Sequence, residues 1–155
     1  MEEKEIPVDV AGIAFDPKKK SPVVILRDSA AERILPIWVG SFEANAIIAE
    51  KEHVKSPRPM THDLLKRIVL TLGAAVNRLV ITEIRDGTFY AELHLAYGDD
   101  EILVDCRPSD GIALAQRDIG QQQDGIERFI EVNAAGVGVA HAAAAVDHEQ
   151  NLLIA

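Results

Sequence analysis

Leu79-Val80-Ile81-Thr82-Glu83-Ile84, Arg85-Asp86-Gly87 and Thr88-Phe89-Tyr90-Ala91-Glu92-Leu93-His94-Leu95 are the consecutive segments whose reading decides the fold. The outer two are rich in β-branched, aromatic and other apolar residues. Asp-Gly between such runs is a strong hairpin signal, because a two-residue type I′ turn needs positive φ at both central positions. Gly98-Asp99-Asp100 turns the chain again into Ile102-Leu103-Val104-Asp105, so three strands follow one another with no helix between them. A helix then starts near Ser109 and runs to about Arg117. Upstream, residues 5–15 suggest a strand, Asp16-Pro17 and three lysines a turn, and Val23-Val24-Ile25-Leu26 and Ile34-Leu35-Pro36-Ile37-Trp38-Val39 two more strands in a meander. Two helices separate the strand blocks. One opens at Gly40-Ser41 with Ala44, Ile47 and Ile48 on one face. The other opens at Thr61, carries Leu64, Leu65, Ile68, Val69 and Leu72 at helical spacing, and stops at Gly73. Strands in blocks with helices between them predict an α+β fold: a single domain whose mixed, mainly antiparallel sheet carries packed helices.

The bulk properties narrow the function classes. A chain of 155 residues suits one domain, and its 48% hydrophobic and 26% charged content is globular. Apolar runs are too short to span a bilayer, so no membrane partner is expected. The acidic start, Met1-Glu2-Glu3-Lys4-Glu5, lacks the regions of a signal peptide, and the expected location is cytoplasmic. Cys106 has no second cysteine to pair with and reads as a small buried apolar residue. A net charge of −9 argues against broad non-specific binding to nucleic acid. The charge is uneven: residues 1–78 carry a net +1 and residues 79–155 a net −10, so a polyanion would meet the first half.

A phrase occurs twice. Arg58-Pro59-Met60-Thr61-His62-Asp63 and Arg107-Pro108-Ser109-Asp110 each place a guanidinium, a proline, a hydroxyl and a carboxylate just ahead of an apolar run. Ser or Thr before such a run is an N-cap signal, and an acid in the first turn is stabilised by the helix dipole by about 0.3–1 kcal/mol. Capping therefore accounts for Ser41 with Glu43, Thr61 with Asp63, and Ser109 with Asp110, if the three entries lie apart. If they converge, Glu43, Asp63, Asp105 and Asp110 would offer hard oxygen ligands to Mg²⁺ or Mn²⁺. Arg58 and Arg107 could then pair with phosphate, with Thr61 and Ser109 beside them. His62 is the general acid or base by type, and a helix-start hydrogen bonder otherwise. No H-E-x-x-H or G-x-S-x-G pattern is present. Trp38, Phe42, Phe89, Tyr90 and Tyr97 are scattered and read as packing residues, with Trp38 and Phe42 bracketing the first helix entry.

Leu35-Pro36-Ile37-Trp38-Val39-Gly40-Ser41-Phe42-Glu43-Ala44, then Arg58 to Leu65, then Asp105-Cys106-Arg107-Pro108-Ser109-Asp110-Gly111-Ile112-Ala113-Leu114-Ala115, resemble in kind and order the motifs of the bifunctional nuclease family. The resemblance covers roughly residues 6–118. It implies an α+β domain that degrades DNA and RNA with little base specificity, using a divalent metal. The family's polar motif positions fall on Glu43, Arg58, Thr61, His62, Asp63, Asp105, Arg107, Ser109 and Asp110. Of these, His62, Asp63, Asp105 and Asp110 are the catalytic candidates, Arg58, Thr61, Arg107 and Ser109 the substrate-binding ones, and Glu43 with Asp63, Asp105 and Asp110 the metal ligands. Gly111 departs from the family's usual alanine, and the segment from Asp118 lacks its usual continuation. The expected division is a nuclease-like domain over residues 1–118 and a partly helical or partly disordered extension over 119–155. Residues 126–132 read as a short strand or helix, and the Ala- and Gly-rich run 134–146 as a helix, a subunit contact or a tail. A homo-oligomer is expected. The competing expectation is a non-catalytic ligand-binding or assembly domain, in which the motif residues are helix caps and ion pairs.

Overall fold

A computed structural model describes residues 5–28, 30, 33–119, 129–137 and 153–154. The chain runs β1 (Glu5–Asp16), β2 (Ser21–Asp28), β3 (Arg33–Trp38), α1 (Ser41–Lys51), α2 (Thr61–Thr71), β4 (Ala75–Arg85), β5 (Thr88–Tyr97), β6 (Asp100–Cys106), α3 (Pro108–Ile119), β7 (Phe129–Asn133), α4 (Ala134–Val137) and β8 (Leu153–Ile154). The described strands form one sheet in the order β3-β2-β1-β7-β4-β5-β6, with β8 added to β1. All pairings are antiparallel except β4 with β7. The expected α+β class, with its mixed and mainly antiparallel sheet, is the observed one.

The hairpin forms where Asp-Gly places it. Asp86 and Gly87 both take positive φ, 51° and 75°, and the ladder closes at Arg85 opposite Thr88. The first three strands form the expected meander. β1 bends at a bulge between Val10 and Gly12, so that its first half pairs β7 and its second half pairs β2.

One face of the sheet is apolar from end to end. Leu35 and Ile37 of β3, Val24 and Leu26 of β2, Ile13 of β1, Ile130 and Val132 of β7, Leu79 and Ile81 of β4, and Ala91, Leu93 and Leu95 of β5 are buried in one cluster. Ala44 and Ile47 of α1 and Ile112 to Ala115 of α3 fill the other side of that core. Fully burying a side chain such as Ile47 contributes about 1.5–3 kcal/mol. At Gly111 an added Cβ would collide with the Leu79 side chain and lie 3.1 Å from Cys106 Sγ. Glycine there sets how closely α3 sits on β4.

β7 lies between β1 and β4 and joins the two strand blocks into one sheet. Of the two readings open for residues 126–132, the strand forms over the described part, from Phe129. In the Ala- and Gly-rich run, the described residues Ala134–Val137 form α4. Its first N–H groups are capped by Asn133 Oδ1, from Ala135 N at 3.0 Å and Gly136 N at 3.3 Å. Gly136 packs so close to the backbone carbonyl of Thr82 that no side chain fits. Residues 120–128 and 138–152 lie outside the described residues. A chain ending at Ile119 would leave the backbone of β1 and β4 unpaired where β7 joins them. Such a truncation is expected to lose the cooperative thermal transition, measured by circular dichroism, that the full chain shows.

Candidate functional site

The N-termini of α1, α2 and α3 converge, and in each helix an acid occupies the third position: Glu43, Asp63 and Asp110. That position faces unpaired N–H groups and the positive end of the helix dipole. Asp63 uses it locally, accepting from Met60 N at 2.9 Å through Oδ2. The hydroxyls do not cap. Gly40 and Met60 are the N-cap residues of α1 and α2, with no side-chain cap hydrogen bond, and Ser41 and Thr61 are already helical. In α3, Pro108 takes the first position, where its missing N–H is harmless, and Ser109 follows as a buried residue. At Gly40 a Cβ would overlap Glu43 Oε2, so a side chain there would require the carboxylate to shift.

Two arginines bind the three acids. Arg107 donates Nη2 to Glu43 Oε1 at 2.7 Å and Nε to Asp110 Oδ2 at 2.8 Å, joining α1 to α3. Its Nη2 lies 2.8 Å from the same Asp110 oxygen, so Glu43 and Asp110 aim at one point. The Arg107 side chain is nonetheless 65% exposed, leaving part of the guanidinium open to solvent. Asp110 Oδ1 meets His62 Nε2 at 3.0 Å, which adds α2 to the cluster.

Beneath this lies Arg117, two turns further along α3 and only 7% exposed. It donates Nε to Asp63 Oδ1 at 2.7 Å, Nη1 to the Ala113 carbonyl at 2.5 Å and Nη2 to the Ala46 carbonyl at 3.3 Å. Lys66 donates Nζ to the Arg117 carbonyl at 2.6 Å. Burial raises the Asp63 pKa, but hydrogen bonds from Arg117 and from Met60 N outweigh it and hold the carboxyl below its ordinary 3.8. Burial likewise raises the Asp110 pKa, and hydrogen bonds from Arg107 and His62 outweigh it, so that this carboxyl is also held low. Arg107 is pushed above its ordinary value by hydrogen bonds to Asp110 and Glu43.

The structure thus brings together Glu43, His62, Asp63, Arg107 and Asp110, with Thr61 and Ser109 beside them in the first turns. Two expected residues stand apart. Asp105 is exposed on β6, and because Cys106 faces Gly111 of α3, strand alternation turns Asp105 to the other face of the sheet. Arg107 pairs with Glu43 and Asp110, not with Asp105 two residues before it. Arg58 is exposed ahead of α2 and makes no hydrogen bond or ion pair among the described residues. His62, the proton-transfer candidate, is buried and turned onto Asp110.

Among the described residues no three His, Cys, Asp or Glu side chains form a metal-binding group. At the helix entries Glu43 and Asp110 share a focal point, and it coincides with Arg107 Nη2. The expected buried role of Cys106 is half realised: the thiol is partly buried, and burial pushes its pKa up to about 11. Phe42 is almost fully exposed next to Glu43, and Trp38 donates Nε1 to Asp16 at 2.8 Å with Lys19 stacked 3.7 Å over its ring.

The bifunctional nuclease domain model matches residues 24–119, a span that contains all three helix entries. The chain belongs to that family. An uncharacterized protein of Mycobacterium tuberculosis is 42% identical over 110 residues, covering 71% of this chain and 65% of its own length. Bifunctional nuclease 1 of Oryza sativa subsp. japonica is 31% identical over 98 residues, covering 61% of this chain and 30% of its own length. The bifunctional nuclease of Oryza minuta matches to the same extent. The family span includes Arg117, which the sequence reading passed over. Its one signal is position, seven residues after Asp110 and thus on the same helix face.

Replacing Arg117 by Met would leave Asp63 and the Ala46 carbonyl without their buried donor. It is expected to cost about 3 kcal/mol of unfolding free energy in urea titration. The lowered carboxyl values set the acid limb. Stability from Asp63 and Asp110 is fully present above the ordinary 3.8 and is lost as pH falls through their lower native values. Melting temperature should therefore drop steeply below about pH 4, and less steeply in Asp110→Asn.

Proposed function

We infer that the chain is a nuclease that hydrolyses phosphodiester bonds of DNA and RNA with little sequence specificity. One observation carries the reading: in a member of this family, a half-exposed guanidinium sits where three helix N-termini meet. Phosphate suits such a place, because helix N-termini and a forked arginine both favour it. Arg107 holds the scissile phosphate, and Arg58, exposed ahead of α2, holds a neighbouring one. Phe42 supplies an open ring on which a base of any identity can stack. His62 and Asp110 form the acid–base pair, with the imidazole as the group suited by type to proton transfer near neutral pH.

Mg²⁺ or Mn²⁺ would be held by Glu43 and Asp110, since one or two carboxylates with water and substrate phosphate are the usual complement. When bound, the ion would supply charge stabilisation at the phosphoryl oxygens. Asp63 is held by the buried Arg117 and Asp105 faces the other side of the sheet, which leaves this pair, and the ion would take the point now filled by Arg107 Nη2 once Arg107 turns to the phosphate. A cytoplasmic setting fits the free thiol, and among the described residues no helix is long and apolar enough to cross a membrane.

A second reading is favoured by the same ion pairs. Arg107 and Arg117 staple the three helices, as they would in an assembly domain without chemistry. Labelled DNA and RNA separate the two. With Mg²⁺ or Mn²⁺ the wild type should cleave both, and EDTA should abolish cleavage. Arg107→Lys keeps the charge between the carboxylates but loses the fork, so cleavage should fall at least about tenfold while the melting temperature changes little. Cleavage unchanged in Arg107→Lys, Asp110→Asn and His62→Ala would mark a contaminating nuclease and leave the assembly reading.

A further inference from the structure

The apolar stripe of α2 faces away from its own protein. The side turned inward carries His62 on Asp110, Lys66 on the Arg117 carbonyl, and half-buried Val69. Leu64, Leu65, Ile68 and Leu72 lie on the outer side and are between 40% and 71% exposed. A surface helix ordinarily buries that stripe against its own core.

A second exposed apolar surface lies beside it. β6 is the last strand in the order of the described sheet. Its Ile102 and Val104 alternate with Leu103 and Asp105, and so share the face of Cys106, which looks toward α3. Both are nevertheless exposed. The ends of α2 lie near the two ends of this strand. The helix starts where His62 meets Asp110, just past the end of β6, and ends where Gly73 approaches Tyr97, which pairs with Asp100 at the start of β6. The two surfaces form a step, with α2 as a ridge and the uncovered face of β6 as the trough next to it.

We propose that this step is a homodimer interface in which α2 of each copy lies in the β6 trough of the other. The occupant follows from area, shape and charge. Met60, Leu64, Leu65, Ile68, Leu72, Ile102 and Val104 together expose on the order of 600 Å². That is the upper end for the largest patch on a monomer and close to the roughly 800 Å² each partner of a stable complex buries. A ridge beside a trough is self-complementary under a two-fold axis, as an isologous contact requires. Charge disfavours the alternative in which the two β6 edges pair. Edge-to-edge pairing of β6 centred on Leu103 would oppose Glu101 and Asp105, a like-charge pair that destabilises a ladder.

The proposal is independent of the nuclease reading and is tested by mass. Light scattering on the full chain at micromolar concentration should give twice 16.9 kDa. Ile68→Glu and Val104→Lys, each at an exposed position, should each give folded monomers by circular dichroism. Mixed in equal amounts, the two variants should recover the dimer, because one of the two equivalent contacts then joins Glu to Lys and the other is native. A monomeric wild type, a dimer that survives Ile68→Glu, or a mixture that stays monomeric would each overturn the proposal. Capture of a different protein by a monomeric chain would overturn it as well.

Discussion

A buried guanidinium holds the helical layer together. Arg117 is a charge that the interior tolerates only when every direction of its planar fork is met, and its partners come from three helices: Asp63 of α2, Ala46 of α1 and Ala113 of α3. Once Arg117 is seated, the three N-termini are brought to one place, and Arg107 can reach both Glu43 and Asp110 at the surface above. The buried arginine makes the convergence, and the exposed arginine uses it.

This division explains why one set of residues supports both a structural and a chemical reading. The acids at the third position of each helix satisfy N–H groups and dipoles, so they would be favourable in any helix. Nothing in helix formation requires a half-exposed arginine between two of them, and Arg107 is the member of the cluster whose position local structure does not explain. His62 shows the opposite case. Its residue type suggested chemistry, but its burial and its bond to Asp110 make it equally a link between α2 and α3.

Most of the framework was legible from short-range rules. Asp86-Gly87 specified its hairpin, the meander of β1 to β3 followed from alternating runs and turn residues, and all three helix starts lay within a residue of their signals. The errors came from longer range. Ser41, Thr61 and Ser109 carried N-cap propensity, yet glycine, methionine and a proline-led start occupied those roles, because the packing of the converging ends overrode a preference of about 1 kcal/mol. Asp105 and Arg107 were separated because β6 ends between them and Arg107 begins a new direction. Arg117 gave no motif to notice, since its importance rests on carbonyls and a carboxylate from distant parts of the chain.

The sequence by itself determined the element types, the sheet-with-helices class and the family, because periodicity, turn chemistry and motif order are local properties of the chain. Tertiary structure alone decided which acids share an arginine, that Phe129–Asn133 is the strand joining both halves of the sheet, and that the leucine stripe of α2 points outward. Periodicity reports that a helix has an apolar face but not what lies opposite it. Only the three-dimensional arrangement shows that α2 meets its own protein through His62, Lys66 and Val69 and leaves its leucines uncovered.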